Sequence, residues 1–298
     1  MGYLYLLIAT MSLSLVGVLV KTASFQFDFY TITFARFFIG VLALGVLVVA
    51  TRNTLRPKLL GKWIWIGALA KAANYLFENL GVSAGYAYGN VLVYPVQTLC
   101  LMLFGIFLFK EKMSMRGWFA SAIVITGALL ITWNGRPLAS LWSDQGWLSI
   151  IFVLSGIGAA AHLLSQKMLL DSMNDVSMNF SIFFWASLIT ALPLPIAADW
   201  TPEPLPGSWL AAVGLGLITG LSFVFSSKAM RTVKFSVTAI ATNLPVLFTV
   251  FWAALFFREP ITGYITCGAI IVVIGMTMLN WPVRKEKDQS DSMAVGTR

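Results

Sequence analysis

PVQTLCLMLFGIFLFKE (Pro95–Glu111) and PVLFTVFWAALFFRE (Pro245–Glu259) read as two versions of one segment: a proline, an apolar run, a basic residue and a glutamate. The match extends in both directions. Gly127 and Trp133 follow the first copy as Gly275 and Trp281 follow the second. Upstream, Gly2-Tyr3-Leu4 pairs with Gly146-Trp147-Leu148, Lys21 with Lys167, and Trp63 with Trp209. No single pair is specific. Their shared order, with separations drifting only between about 144 and 150 residues, marks an internal duplication.

Both copies are built from apolar stretches of bilayer length. Ten spans are predicted, near residues 3–22, 30–50, 62–83, 87–109, 115–133, 146–168, 176–197, 208–229, 235–257 and 260–281. About 20 apolar residues at roughly 1.5 Å each cross a hydrocarbon core of about 30 Å. Backbone polar groups in lipid must be satisfied within their own segment, so each span is a helix. The predicted fold is an all-α integral membrane bundle of ten transmembrane helices. It divides into a first repeat (1–135), a second repeat (146–282) and a disordered cytoplasmic tail (283–298). Five spans per repeat is an odd number, so the second repeat enters the membrane inverted. Such halves provide two near-equivalent states, one open to each side, with a substrate site between them.

Composition agrees: 58% of residues are hydrophobic and only 11% charged. The net charge of +8 does not point to nucleic acid once the charges are placed. Arg52, Arg56, Lys58 and Lys62 lie between spans 2 and 3, Lys110, Lys112 and Arg116 between spans 4 and 5, and Lys228, Arg231 and Lys234 between spans 8 and 9. Together with the basic tail they mark the cytoplasmic side, so both termini are expected inside a bacterial inner membrane. Span 1 lacks the basic start of a secretory signal and has a partner in the repeat, so it is kept as a helix. Cys100 and Cys267 fall within spans and imply packing, not a disulfide.

The two Pro-to-Glu segments, with Gly127 and Gly275, and Phe34-Ala35-Arg36-Phe37 in span 2, resemble the drug/metabolite transporter superfamily, within it the EamA-type ten-helix permeases. The resemblance runs over residues 2–282. It implies alternating access, a central cavity lined by helices 1–4 and 6–9, and helices 5 and 10 packed behind it. It supplies no substrate, because the family moves amino acids, nucleosides, quaternary cations and drugs.

Ionisable residues inside a span cost roughly 2.5–3.5 kcal/mol at the helix centre, so each asks for a reason. Arg36 in span 2 and Lys71 and Glu78 in span 3 stand out. Lys71, Asn74 and Glu78 share one helical face, which must turn into the bundle. Glu78 reads either as a counter-charge for a cationic substrate or a proton-coupling carboxylate, or as a packing ion pair with Arg36 or Lys71. Arg36 itself reads as structural. Asn90, Tyr94 and Gln97 share a face of span 4, and Asn243 precedes Pro245; they suit a zwitterionic or hydroxylated solute, or simply bond helix to helix. Pro95 and Pro245 each remove a backbone donor inside a span, leaving the Val91 and Ala241 carbonyls free at a kink or hinge. His162, the only histidine, is a second candidate for proton coupling. Trp185 lies deep enough to line the cavity. Glu111 and Glu259 read as structural acids at the start of the helix that follows each.

The partners expected are a small-molecule substrate and membrane lipid, with the chain a monomer or homodimer. No cofactor motif, phosphate-binding loop or metal-ligand cluster occurs. An enzyme reading rests on Asp171 and Asp175, whose spacing suits Mg²⁺ beside a diphosphate as in intramembrane prenyltransferases, but a second acidic cluster on that side is missing. A passive channel would need a continuous polar pore, whereas the polar residues cluster at mid-span. The leading expectation is a secondary active transporter, an exporter of a small polar metabolite such as an amino acid or amine.

Overall fold

Ten helical spans run through the residues that the computed structural model describes: 1–52, 57–58, 61–110, 114–135, 146–198, 205–233 and 244–280. They are α1 (Gly2–Ala23), α2 (Phe29–Ala50), α3 (Lys62–Ala84), α4 (Ala87–Phe109) and α5 (Met115–Trp133) in the first half. The second half holds α6 (Gly146–Leu169), α7 (Asp175–Ala191), α8 (Pro206–Thr232), α9 (Pro245–Phe257) and α10 (Gly263–Asn280). Five of them (α1, α2, α4, α6 and α8) are long and apolar enough throughout to cross a membrane by length and composition. Shorter apolar segments lie in α5, α9 and α10. The basic tail and Glu111 lie outside the described residues.

Helix starts follow local chemistry. The Asp28 carboxylate accepts the Tyr30 and Thr31 amides at 2.8 and 3.0 Å, and the side chains of Ser114 and Asn174 cap α5 and α7 in the same way. Where the predicted spans differ from the helices, backbone chemistry gives the reason. Span 7 stops at Ala191, short of residue 197, because Pro193 cannot continue the ladder; a separate turn, Leu194–Ala197, follows. Helix α1 is interrupted at Leu15, whose amide bonds back to Ser12 at 3.3 Å, a tighter turn than the α-helical one. Pro95 does not break a helix midway. The first turns of α4 (Ala87–Leu92) are 3₁₀, the α-helical part starts at Val93, and Pro95 falls in its first turn, where a missing donor is tolerated. Pro245 likewise sits at the first position of α9. Lys110 and Arg258, the paired basic residues of the repeat, both end their helices in the left-handed conformation, at φ 52° and 53°.

The halves interlock by a pseudo-two-fold relation. Helix α3 packs along α6 and α1 along α8; α4 meets α6 as α9 meets α1; α2 and α7 pack on each other. Exchanging the two members of each repeat pair maps this contact set onto itself, the signature of an inverted duplication. Helices α5 and α10 pair behind the rest. Their approach depends on glycine: a Cβ on Gly268 would stand 2.6 Å from the Gly127 carbonyl, and one on Gly127 would stand 2.6 Å from the Gly268 carbonyl. Small residues that let backbones touch are the main source of close helix association in lipid. Gly268→Leu must therefore push the two helices apart, destabilising the protein by about 1–3 kcal/mol. Gly263→Ala, with open space around its new Cβ, serves as the control. Thermal unfolding in detergent should separate the two; equal stability would contradict this packing.

Candidate substrate site

Helix α3 crosses the middle of the bundle with a charged face directed inward. Lys71, Asn74 and Glu78 are all buried, as the three-and-four spacing predicts, and Tyr75 joins them on that face. Glu78 is held on both oxygens. Arg36 Nη1 of α2 donates to Oε2 at 3.0 Å, and Asn90 Nδ2 of α4 donates to Oε1 at 3.1 Å. The guanidinium is only 1% exposed and has further partners: Nη1 reaches Asn79 Oδ1 at 3.3 Å and Nε donates to Thr219 Oγ1 of α8 at 3.0 Å. Asn79 in turn donates to Thr33 at 2.8 Å. Arg36 is therefore satisfied by neighbours from both halves and Glu78 by two from the first, which is what lets two charges reside inside the bundle.

Lys71 is in a different position. Its ammonium donates to Asn74 Oδ1 at 2.9 Å and lies 4.0 Å from the centroid of the Tyr75 ring and 4.1 Å from that of Phe223. Among the described residues no carboxylate lies within ion-pairing distance of it. Asn74 is fixed from the second half. Its Nδ2 donates to both the carbonyl and the hydroxyl of Ser155, and that hydroxyl donates back to the Asn74 carbonyl at 2.9 Å. With both amide hydrogens committed, Oδ1 has no choice but to face Lys71.

These groups border one cavity of about 700 Å³, open space at its mouth included. Arg36, Lys71, Asn74, Glu78, Tyr94 and Gln97 supply its polar wall, and Leu6, Leu13, Val93, Leu163 and Pro245 much of its apolar wall. The lining comes from α1, α2, α3, α4, α6, α8 and α9; none comes from α5 or α10, as the family resemblance implied, and none from α7, which it had placed among the lining helices.

At the end of the bundle that carries the α3–α4 turn, the halves are fastened together. The Glu259 carboxylate accepts the Ala87 amide at 2.9 Å from across the interface, and within the first half Lys21 donates to the neighbouring Gly85 carbonyl at 2.6 Å. Glu259 thus caps the start of α4 in the other half, and not its own following helix α10 as the sequence predicted. The turn leaving α9 aims it across the interface, where the 3₁₀ start of α4 presents unpaired amides. Burial pushes the Glu259 carboxyl above its ordinary range, against the pull of the Ala87 and Tyr88 amides and of Lys21.

Other candidate residues sit elsewhere. Asn90 holds Glu78 without bordering the cavity. His162 is fully buried between the Gly67 carbonyl, 3.3 Å from Nδ1, and the edge of Phe223, behind the cavity wall. Trp185 is away from the cavity: its Nε1 donates to the Lys58 carbonyl at 3.0 Å and its ring lies against Trp65. Cys267 is exposed on the outer face of α10, not packed, because the turn of that helix faces it away from α5. Asn243 lies outside the described residues. Asp175 of the suggested Mg²⁺ pair is bonded to Arg231 at 2.8 Å, which answers its charge without a metal. Five contributors were not singled out from sequence: Tyr75, Asn79, Thr219, Ser155 and Phe223. Tyr75 was within reach, since it completes the 71, 74, 75, 78 face, and Asn79 follows Glu78 on the same helix; Thr219, Ser155 and Phe223 sit on partner helices whose register only the fold fixes.

Comparison with known proteins agrees with this architecture. A crystal structure 14% identical in sequence superposes with a TM-score of 0.75 over 94% of this chain and 96% of its own, which establishes the same fold. The pseudopaline exporter CntI of Pseudomonas aeruginosa is 23% identical over 286 residues, 94% of this chain and 95% of that protein. The uncharacterized inner membrane transporter YhbE of Escherichia coli is 27% identical over 271 residues, covering 82% of this chain and 80% of that one. The EamA-like transporter family matches residues 1–133 and 146–281, nearly the whole of both halves. The chain is a multi-pass membrane transporter and belongs to the EamA-like transporter family.

Proposed function

We propose that this protein is a secondary active exporter that carries a small polar metabolite, of the amino acid or amine type, across a bacterial inner membrane by alternating access. The observation that carries the reading is a mid-bundle cavity with charged groups on one wall, lined by both inverted halves and fastened at one end by a few hydrogen bonds between them, among them Glu259 to Ala87 and Ser208 to Thr22. Each such bond is worth about 0.5–1.5 kcal/mol, or roughly twice that when charged, so the fastening is weak enough to open in every cycle. The distribution of basic residues places the fastened end outside and both termini in the cytoplasm. The cavity extends from Glu78 and Tyr94 toward Leu6, Ser226 and Pro245, so this state serves cytoplasmic loading. Export also agrees with the CntI relative's being a pseudopaline exporter.

Proton coupling completes the proposal. Glu78 is the carboxylate at the site, and its use in coupling requires that the pair with Arg36 and the bond from Asn90 open during the cycle. Counterflow in proteoliposomes tests the reading. Vesicles loaded with an unlabelled amino acid or amine should accumulate the same labelled compound transiently, and a pH gradient should bias the direction. Flux that neither saturates nor exchanges would show a channel.

A further inference from the structure

Given that the cavity is the transport site, the uneven distribution of charge within it identifies the group it binds. We infer that Lys71 is the anchor for a carboxylate on the substrate, so the cavity takes small organic acids or amino acids and not simple amines. Two cations and one anion border the cavity: Arg36, Lys71 and Glu78. The single carboxylate is already held on both oxygens, by Arg36 at 3.0 Å and Asn90 at 3.1 Å, and has little capacity left for a cationic ligand. Lys71, 4% exposed, has one hydrogen-bond acceptor at 2.9 Å and two aromatic faces, which leaves ammonium hydrogens without an oxygen among the described residues.

The placement of the cations sharpens the point. Arg36 Cζ lies 3.4 Å and Lys71 Nζ 4.0 Å from the centroid of the same Tyr75 ring. Two like charges sharing one ring repel, and an entering carboxylate relieves that repulsion while an entering ammonium adds to it. Phe223 and Tyr75 form the aromatic box that a quaternary or primary amine would seek, but Lys71 already fills it. A carboxylate that ion-pairs with Lys71 leaves the rest of the ligand against Leu6, Leu13 and Val93, with Tyr94 and Gln97 placed to read polar groups. Asn74, clamped by Ser155 of the opposite half, positions the ammonium, so anion binding engages both repeats at once.

Binding is measured on the full-length purified protein by thermal stabilisation in detergent, which does not depend on transport. The probes are six amino acids (alanine, leucine, phenylalanine, glutamate, histidine and lysine), their carboxamides and the amines that lack the carboxyl group. Carboxylates are expected to stabilise the wild type, with the matched amides and amines about 100-fold weaker or more, as for loss of one partner of a buried charge pair. Lys71→Met should remove this preference. It deletes an ammonium with no carboxylate partner, so the fold survives, and Lys71→Arg should keep the preference for carboxylates. Stabilisation by the amines equal to that by the acids, or undiminished acid binding by Lys71→Met, overturns the inference. Counterflow run on the same variants separates the two readings. Exchange of an amine that persists in Lys71→Met defeats the carboxylate anchor but leaves a transporter, while carboxylate binding that needs Lys71 without any exchange defeats transport alone.

Discussion

Glu78→Ala should lower the thermal stability of this protein in detergent by about 10 °C, the result of a buried guanidinium losing its counter-charge. Arg36 is 1% exposed, and its ion pair with Glu78 is closed at 3.0 Å. Breaking a buried pair by removing one partner typically destabilises by about 3–5 kcal/mol, because the remaining charge is stranded in a medium that cannot solvate it. A chain of this size loses roughly 2–4 °C per kcal/mol. Asn79 and Thr219 still offer oxygens to the guanidinium, so the loss stays near the middle of that range. The charge pair as such is not the source of stability. An Arg36→Leu/Glu78→Leu double variant should recover most of the loss, since apolar replacement of a whole buried pair is often neutral or better. If the single variant unfolds within 2 °C of the wild type, the pair is hydrated and the burial described here is wrong.

Glu259→Ala acts on the conformational balance instead. In the fastened state its carboxylate accepts the Ala87 amide across the two halves. A hydrogen bond to a charged acceptor is worth about 1.5–3 kcal/mol, and partial exposure reduces this to about 1–2 kcal/mol. Its removal should shift the equilibrium toward the opposite state by roughly 5- to 30-fold, at about 1.4 kcal/mol per factor of ten. A Val16→Cys reporter on the cavity wall, in a chain with Cys100 and Cys267 replaced by alanine, should then react that much faster with an impermeant maleimide applied outside. The sign of the pH effect follows from burial. Glu259 holds its proton more tightly when fastened than when released to water at its ordinary value of 4.5. Lowering the pH from neutral toward 4.5 therefore adds protons preferentially to the fastened state and slows outside labelling; Glu259→Gln should lose that dependence. Labelling that is indifferent to both changes would remove Glu259 from the closure.

Much of this was legible in the residues. Spacing and apolar length give ten helices, and the duplicated Pro-to-Glu segment gives an inverted pair of halves, because membrane helices leave the backbone few alternatives. The inward face of α3 was equally readable from Lys71, Asn74 and Glu78 at helical spacing. What the linear sequence does not contain is which neighbouring helix each face meets. From sequence Glu78 could serve a substrate cation or pair with Arg36 or Lys71; the placement of α2 and α4 against it gives it Arg36 and Asn90, and leaves Lys71 as the charge without a carboxylate. Glu259 was assigned to the wrong helix for the same reason: a dipole argument along the chain sees only the next helix, whereas the nearest unpaired amides belong to α4. Trp185 was judged by depth within its span, but the rotation of α7 turns its ring toward Lys58 and Trp65.

The central claim is that the cavity between the halves opens to each side in turn. Its most direct test is two-sided labelling of a Thr10→Cys reporter, which borders the cavity, in oriented vesicles of a chain with Cys100 and Cys267 replaced. Impermeant maleimide should react from the cytoplasmic side at rest. An outward gradient of a transported amino acid should suppress that reaction and make the same residue reactive from outside. A reporter that reacts from both sides at once, or never from outside under any gradient, would contradict alternating access.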